Sequence, residues 1–282
     1  MLNVLRIGTA GIPISTQPRN SQNGIKRVNE LGLSCMELEF VRSVQMGEKT
    51  ARAVREIAEE MDVALTVHAP YYVNLNSAEP EKIEASKKRI LKAARIGSIA
   101  GAKSVTFHAA YYHDDDPEDV YQAVRHHMEE MLEQLDKENI KIRLSPETTG
   151  APSQFGTLEE IVRLGKDLPG VFPCIDFSHL FARSLGEFNT YEHFSSALQL
   201  VRDELGEHAL QQLHIHLSGI EYGPKGERKH LPLEETELDY TAVLQALMDF
   251  NVGGWLICES PILEEDALIF KSIYDQIRKE QD

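Results

Sequence analysis

The feature that most restricts the fold of this chain is a series of eight short, apolar, β-rich segments at steady intervals. They lie at residues 4–8, 35–39, 64–68, 104–108, 140–147, 172–176, 213–216 and 255–259. Most are continuous apolar runs, which is typical of parallel strands covered by helices. Amphipathic segments fill the intervals, at residues 21–31, 47–61, 80–100, 117–137, 191–205, 237–250 and 264–280, with a further helix start at Thr157.

A repeated strand–helix unit predicts a parallel sheet with right-handed crossovers. Eight such units close most naturally into a (β/α)8 TIM barrel, an α/β fold that typically needs about 250 residues. The chain has 282 residues, and no stretch rich in Pro, Gly or Ser divides it. We therefore expect a single TIM-barrel domain over residues 1–282, with a doubly wound open sheet as the alternative.

Composition and charge exclude several other classes of protein. The content of 42% hydrophobic and 26% charged residues is that of a soluble globular protein. No apolar run approaches the roughly 18 residues that a membrane span requires, and residues 1–8 are expected to begin a strand rather than a signal peptide. The chain has 45 acidic and 29 basic residues. This excess of negative charge argues against broad, nonspecific nucleic-acid binding, but not against a local basic patch.

The three cysteines, Cys35, Cys174 and Cys258, lie far apart in separate apolar runs. Their spacing fits neither a disulfide framework nor a cysteine-based zinc site. We expect buried, reduced thiols, and hence a cytoplasmic protein.

Side chains that can bind a metal end six consecutive predicted strands, the third to the eighth. They are His68, His108, Glu147, Asp176, His216 and Glu259. All strands of a parallel barrel end on one face, where enzymes of this fold build their active sites, so these side chains should converge there. Imidazoles and carboxylates suit zinc, manganese or iron, and the lack of thiolates among them disfavours a closed structural zinc site. The sequence therefore predicts a metal-dependent active site at the mouth of the barrel.

A second group of candidate ligands follows the sixth and seventh strands. His179 comes one helical turn after Asp176, close enough to bind the same ion or a neighbouring one. Residues 221–230 contain turn residues followed by acidic and basic groups, end at His230, and are expected to form a loop. His214 lies deeper than His216 on the same strand face, so we expect it in the core or behind the ligands.

Together these residues resemble the endonuclease IV family, the zinc-dependent apurinic/apyrimidinic endonucleases of the xylose-isomerase-like TIM barrel superfamily. The resemblance covers the whole barrel and rests on short motifs in a fixed order, His68-Ala69-Pro70-Tyr71-Tyr72, Phe107-His108, Pro146-Glu147-Thr148-Thr149-Gly150, Asp176-Phe177-Ser178-His179, His216-Leu217-Ser218-Gly219 and Cys258-Glu259-Ser260. It implies an enzyme of base excision repair that hydrolyses the phosphodiester 5′ to an abasic site in DNA.

The resemblance also implies two to three bound Zn²⁺ ions, with Mn²⁺ as another ion that fits the ligands. Glu147 would bridge two ions. The other five strand-end residues would complete their sites, His68 and His108 at the first ion and Asp176, His216 and Glu259 at the second.

A third ion would be held by His179 and His230. The family completes that site with an Asp-x-His pair, whereas here Arg228 stands two residues before His230 and cannot bind a metal. Glu227, three residues before His230, is the carboxylate that could take the place of that Asp.

The implied partner is double-stranded DNA with an abasic site, bound by a monomer. Glu147 and Glu259 would be catalytic as ligands that fix the ions, and Glu259 would also orient the attacking water. A missing base makes it easy for the nucleotide to leave the helix. The residues expected to contact DNA are Tyr71 and Tyr72, which would fill the gap, and Arg42, Lys225, Arg228 and Lys229, which would bind phosphates.

Two other functions fit part of the pattern. Sugar isomerases and epimerases of the same superfamily resemble this chain through a Glu-Asp-His-Glu set around one Mn²⁺, Co²⁺ or Mg²⁺ ion, here Glu147, Asp176, His216 and Glu259. The acidity of the chain suits a small neutral substrate, but an enzyme with one ion has no need for both His68 and His108. A metal-stabilised binding protein without catalysis is the third interpretation.

Overall fold

Eight parallel strands form one closed barrel in the computed structural model of the chain, which describes residues 5–281. In chain order they are β1 (Leu5–Ala10), β2 (Cys35–Glu39), β3 (Ala64–His68), β4 (Ser104–Phe107), β5 (Arg143–Pro146), β6 (Cys174–Asp176), β7 (Leu213–Leu217) and β8 (Gly254–Cys258). Strands adjacent in sequence pair side by side, β8 pairs with β1, and isolated bridges from Leu144 to Val171 and from Glu147 to Cys174 join β5 to β6. The predicted TIM barrel is confirmed, and its closure excludes the open sheet.

The helices follow the predicted intervals, except that the short sixth and eighth helices were not predicted. They are α1 (Ser21–Glu30), α2 (Glu48–Glu60), α3 (Pro80–Ala100), α4 (Pro117–Lys137), α5 (Leu158–Asp167), α6 (Phe177–Arg183), α7 (Tyr191–Leu205), α8 (Glu207–Leu210), α9 (Tyr240–Asp249) and α10 (Glu264–Gln281), with a 3-10 turn at Leu233–Glu235. The capping box of Thr157 and Glu160 starts α5. The three cysteines are buried and free. Within residues 5–281, every helix is too short or too polar to cross a membrane.

Three strands differ by two or more residues at one end from their predicted segments, and the other strands agree to within one residue. β5 begins at Arg143 rather than at residue 140, because Asn139, with φ 54°, follows the end of α4 in the left-handed conformation and the next residues lead to the barrel. β6 begins at Cys174 because Pro173 has no N–H to donate to a neighbouring strand. β1 extends to Ala10, and residue 4 lies outside the described residues.

The segment after β7 is a hairpin, so the predicted loop is wrong. Its two antiparallel strands, Gly219–Gly223 and Gly226–Leu231, are joined by a turn at Pro224 and Lys225. We call residues 219–231 the mouth hairpin. Arg228 is an extra residue in its second strand, a β-bulge. The turn signals were correct, but the flanking strands are too rich in charged residues to show a strand pattern.

Candidate metal centre

The strand-end side chains lie together at the carboxyl-terminal face of the barrel. Within each group described here, the candidate ligand atoms are within 4.8 Å of one another. The first cluster consists of His68, His108 and Glu147, the second of Glu147, Asp176, His216 and Glu259, and the third of Asp176, His179 and His230. Neighbouring clusters therefore share a carboxylate.

Glu147 joins the first two clusters through its two oxygens. Its Oε2 lies 3.4 Å from His68 Nε2 and 3.3 Å from His108 Nε2. Its Oε1 lies 3.2 Å from the Nδ1 atoms of both His216 and His179. The side chain is only 1% exposed. A carboxylate whose two oxygens face different ligand groups has the arrangement needed to bridge two ions.

The mouth hairpin brings Glu227 to the third cluster together with His230. Glu227 Oε2 lies 3.2 Å from His179 Nε2, and its Oε1 lies 3.8 Å from His230 Nε2. Residues two apart on a regular strand share a face, whereas residues three apart do not. The bulge at Arg228 inserts one residue between Glu227 and His230, so both can face the cluster. A carboxylate is thus present at the third cluster although the Asp-x-His spacing is absent.

Two glycines allow the mouth hairpin to pack against the segment after β5. The Glu227 N–H donates to the Gly150 carbonyl at 2.9 Å. Gly226 has φ +88°, and a Cβ there would lie 2.2 Å from the Gly150 oxygen. A Cβ on Gly150 would in turn lie 2.6 Å from Glu227 Cβ. This contact requires both glycines and fixes the position of Glu227.

The chemistry of the three clusters fits divalent cations. Imidazole nitrogens and carboxylate oxygens are the ligands that zinc and manganese take in proteins. Asp176 Oδ2, His179 Nε2 and Glu259 Oε2 are buried polar atoms without a hydrogen-bond partner. Since buried polar atoms rarely stay unpaired, cations bound in the second and third clusters would satisfy all three.

Sequence reasoning missed two carboxylates on β2. Glu37 is fully buried beside His214 and His216, and Glu39 is half-buried at the end of the strand. A signal was present, because two acidic residues in an otherwise apolar strand, spaced two apart, face the same side. Glu39 also lies at the end of its strand, as do the metal-binding candidates that end the six later strands.

The carboxylates and imidazoles shift each other's pKa strongly. Burial alone would raise the pKa of Glu147, but the positive charges of His216 and His108 hold it well below its usual range. Burial alone would lower the pKa of His68, yet its contact with Glu147 and the charge of Glu39 raise it to about 10. In the metal-free protein the Glu147 carboxylate is therefore ionised and the His68 ring is charged.

Zinc binding at pH 7 is expected to release protons. That pH lies between the ordinary histidine pKa of 6.5 and the value of about 10 for His68, so this ring is charged before zinc binds and must become neutral to coordinate it. Calorimetric titration of the metal-free protein with Zn²⁺, in buffers of different ionisation enthalpy, should give an apparent enthalpy that depends on the buffer. Equal enthalpies in all buffers would contradict this expectation.

The two tyrosines expected to contact DNA are exposed at the mouth. Tyr71 is 57% exposed and Tyr72 is 64% exposed. The Tyr71 ring packs edge-on against His68, with the ring centroids 5.4 Å apart. An apolar surface is thus available directly beside the first cluster.

The four cations expected to contact phosphates are all exposed, but their charges differ in availability. Arg228 and Lys229 both pair with Glu221, at 3.1 Å and 3.4 Å. Arg42 follows β2, and Lys225 lies in the turn of the mouth hairpin. Among the described residues, neither of these two forms an ion pair with an acidic side chain, so their charge is the more available for a ligand.

Fold and site together define the class of this protein, a metal-binding enzyme built on a TIM barrel. Residues 25–274 match the family described as xylose isomerase-like TIM barrel. The chain belongs to this family.

The chain is similar in sequence to an uncharacterized protein and to a probable endonuclease. The uncharacterized protein MJ0133 of Methanocaldococcus jannaschii is 43% identical over 274 residues, which cover 97% of this chain and 98% of the relative. A probable endonuclease 4 of Carboxydothermus hydrogenoformans is 26% identical over 242 residues, 82% of this chain and 83% of the relative.

Two solved structures share the fold. A D-tagatose 3-epimerase-like protein has a TM-score of 0.72 at 17% identity, over 96% of this chain and 97% of the other. Endonuclease IV from Thermus thermophilus has a TM-score of 0.70 at 18% identity, over 96% of this chain and 99% of the other. At these identities the structures show the fold alone.

Proposed function

We propose that the protein is a zinc-dependent phosphodiesterase of DNA repair that hydrolyses the phosphodiester 5′ to an abasic site. The observation that carries the proposal is the position of Glu147, whose two oxygens face two separate ligand clusters. Sites with paired ions are typical of enzymes that cleave phosphodiesters, where both the attacking and the leaving oxygen need stabilisation. The relatives named as probable endonuclease 4 support the same activity.

The clusters would each hold one ion, with Glu147 and Asp176 shared between neighbours and Glu227 added to the third. When bound, the ions would acidify a water molecule and neutralise charge on the phosphoryl group. The protein's part is to keep the ions at a fixed separation through Glu147. Glu259 has a side chain that is 12% exposed, so its carboxylate can also accept a hydrogen bond from the attacking water.

The charge of −16 means that DNA must be held by local groups rather than by the overall field. Arg42 and Lys225 are the exposed cations with available charge. Tyr71 and Tyr72 present apolar surface beside the first cluster, where they would replace the missing base and support the distorted duplex.

Incision of a duplex oligonucleotide with one abasic-site analogue tests the proposal. Zinc-loaded protein should cleave on the 5′ side of the analogue and leave a 3′-hydroxyl. A chelator should abolish cleavage, and the same duplex without the analogue should stay intact. Failure of folded, zinc-loaded protein to cleave would refute the nuclease.

Replacement of both Tyr71 and Tyr72 by alanine is expected to weaken binding to the abasic duplex. Stacking of a base on an aromatic side chain contributes about 1–3 kcal/mol, so the Kd should rise by about 5- to 150-fold. Fluorescence anisotropy with a labelled duplex measures the change. Ile269→Ala is the control, because Ile269 is also an exposed apolar side chain, at 41%, but lies on α10. Unchanged affinity in the double variant would show that the tyrosines only pack at the rim.

A sugar isomerase or epimerase is the second candidate, and the second cluster favours it. Glu147, Asp176, His216 and Glu259 are complete as a site for one ion, and Glu147 and Glu259 could exchange a proton at the sugar carbon between them. Incubation of metal-loaded protein with ketoses in D₂O would reveal this activity as deuterium incorporated into the sugar. Deuterium exchange without DNA incision would favour the isomerase or epimerase activity and refute the nuclease activity.

A further inference from the structure

The barrel interior beneath the second cluster contains polar side chains where TIM barrels usually carry branched apolar residues. They are Glu37 on β2, Thr66 on β3, Ser104 on β4 and His214 on β7, each at most 1% exposed. None of them belongs to the three clusters. Buried polar groups cost free energy unless they are paired, so their contacts indicate what they do.

His216 connects these residues to the metal centre. Its Nδ1 faces the second cluster, 3.2 Å from Glu147 Oε1 and 3.2 Å from Glu259 Oε2. Its Nε2 lies on the other side, 3.2 Å from His214 Nε2 in hydrogen-bonding geometry. A neutral imidazole carries its proton on one ring nitrogen only. A group that holds the proton at Nε2 therefore leaves Nδ1 free to bind a cation.

Two residues lie next to His216 Nε2 on the side of the ring away from the second cluster. His214 is oriented by Ser104, whose hydroxyl lies 2.9 Å from His214 Nδ1. The Glu37 carboxylate lies beside both rings, 2.9 Å from His214 Nε2 and 3.0 Å from His216 Nε2. The Thr66 hydroxyl donates to Glu37 at 2.8 Å and holds it there. The negative charge of Glu37 favours a proton located between the two Nε2 atoms.

We propose that Glu37 and His214 are positioning residues that keep the proton of His216 on Nε2 and so present Nδ1 as the ligand atom of the second cluster. The inference rests on the proposed use of that cluster as a metal site. Partners behind a metal-bound histidine fix its orientation and raise its basicity, and their loss typically lowers metal affinity about 10- to 100-fold.

Zinc titration of the metal-free protein, in competition with a chromophoric chelator, tests the proposal without any DNA substrate. His214→Phe removes the hydrogen-bond acceptor, and Glu37→Met removes the carboxylate. Each change is expected to weaken one zinc site about 10- to 100-fold. Glu264→Met is the control, because it also removes a buried carboxylate, one that accepts hydrogen bonds from the Ile14 and Ser15 N–H groups and belongs to none of the three clusters. Its zinc affinity should equal that of the wild type.

Long-range ¹H–¹⁵N spectra of the zinc-loaded wild-type protein, labelled at histidine, give a second readout that needs no variant to fold. His216 should carry its proton on Nε2. A proton on Nδ1, or wild-type zinc affinity in both variants, would overturn the positioning role and leave the proposed nuclease intact.

A purely structural role for Glu37 and His214 would also overturn the proposal. In that case the variants would show a lower Tm and unchanged zinc affinity. Wild-type protein that binds no zinc at all would refute the proposed function, and the positioning role with it.

Discussion

Glu147→Gln is expected to abolish hydrolysis of abasic DNA and to lower the amount of bound zinc. Glutamine has one acceptor oxygen and an NH₂ group that cannot bind a cation, so the first and second clusters lose their shared ligand. A loss of several kcal/mol of charge stabilisation in the transition state corresponds to at least about a thousandfold lower turnover. Incision assays and zinc analysis by atomic emission measure the two effects.

Glu265→Gln provides the matched control for this change. Glu265 is an exposed carboxylate in the first turn of α10, outside the three clusters. This variant should incise and bind zinc as the wild type does. Wild-type turnover by Glu147→Gln, with its fold intact by circular dichroism, would rule out the scheme in which Glu147 bridges two ions.

Gly226→Ala is expected to remove the ion of the third cluster and to spare the other two. An alanine at φ +88° is strained by about 1–3 kcal/mol, and its Cβ would lie 2.2 Å from the Gly150 oxygen. The mouth hairpin must then move away from Gly150, and Glu227 and His230 move with it. Zinc analysis should show one ion fewer per chain, and the Tm of the zinc-loaded protein should fall.

Gly223→Ala tests whether the loss of zinc comes from the lost contact with Gly150 rather than from any change in the mouth hairpin. A Cβ on Gly223 would lie 2.6 Å from the end of the Arg228 side chain, which is exposed and can move. This variant should keep its full zinc content. If Gly226→Ala also kept all its zinc, the contact with Gly150 would not determine where Glu227 lies.

The barrel could be predicted from the sequence because its determinants are local. Segments 80–100, 117–137 and 191–205 coincide with α3, α4 and α7. The start of α4 is marked by Asp116 and Pro117, and the end of α3 by Gly101 in the left-handed conformation. Strand order and closure then follow from right-handed crossovers. The strand-end ligands could be predicted because parallel strands all end on one face.

The features of the site that the sequence did not predict depend on which strands pair and in what register. The bulge at Arg228 exists only relative to the opposite strand, where Glu221 pairs with Lys229 and Tyr222 with Glu227. Nothing in the order of residues 226–231 identifies the extra position. The contacts of Glu37 could not be predicted for a similar reason, since its partners lie on β3 and β7 and become neighbours only when the barrel closes.

The third cluster takes His230 and Glu227 from the mouth hairpin, which contributes no strand to the barrel. The ladders of the eight barrel strands, and the first two clusters, include no residue of segment 219–231. In the proposed function, the number of ions would therefore be a modular property of this scaffold. An insertion, deletion or altered turn in one surface hairpin would then convert a three-ion centre into a two-ion centre while the barrel stays the same, which would give evolution a simple route between different chemistries on a single fold.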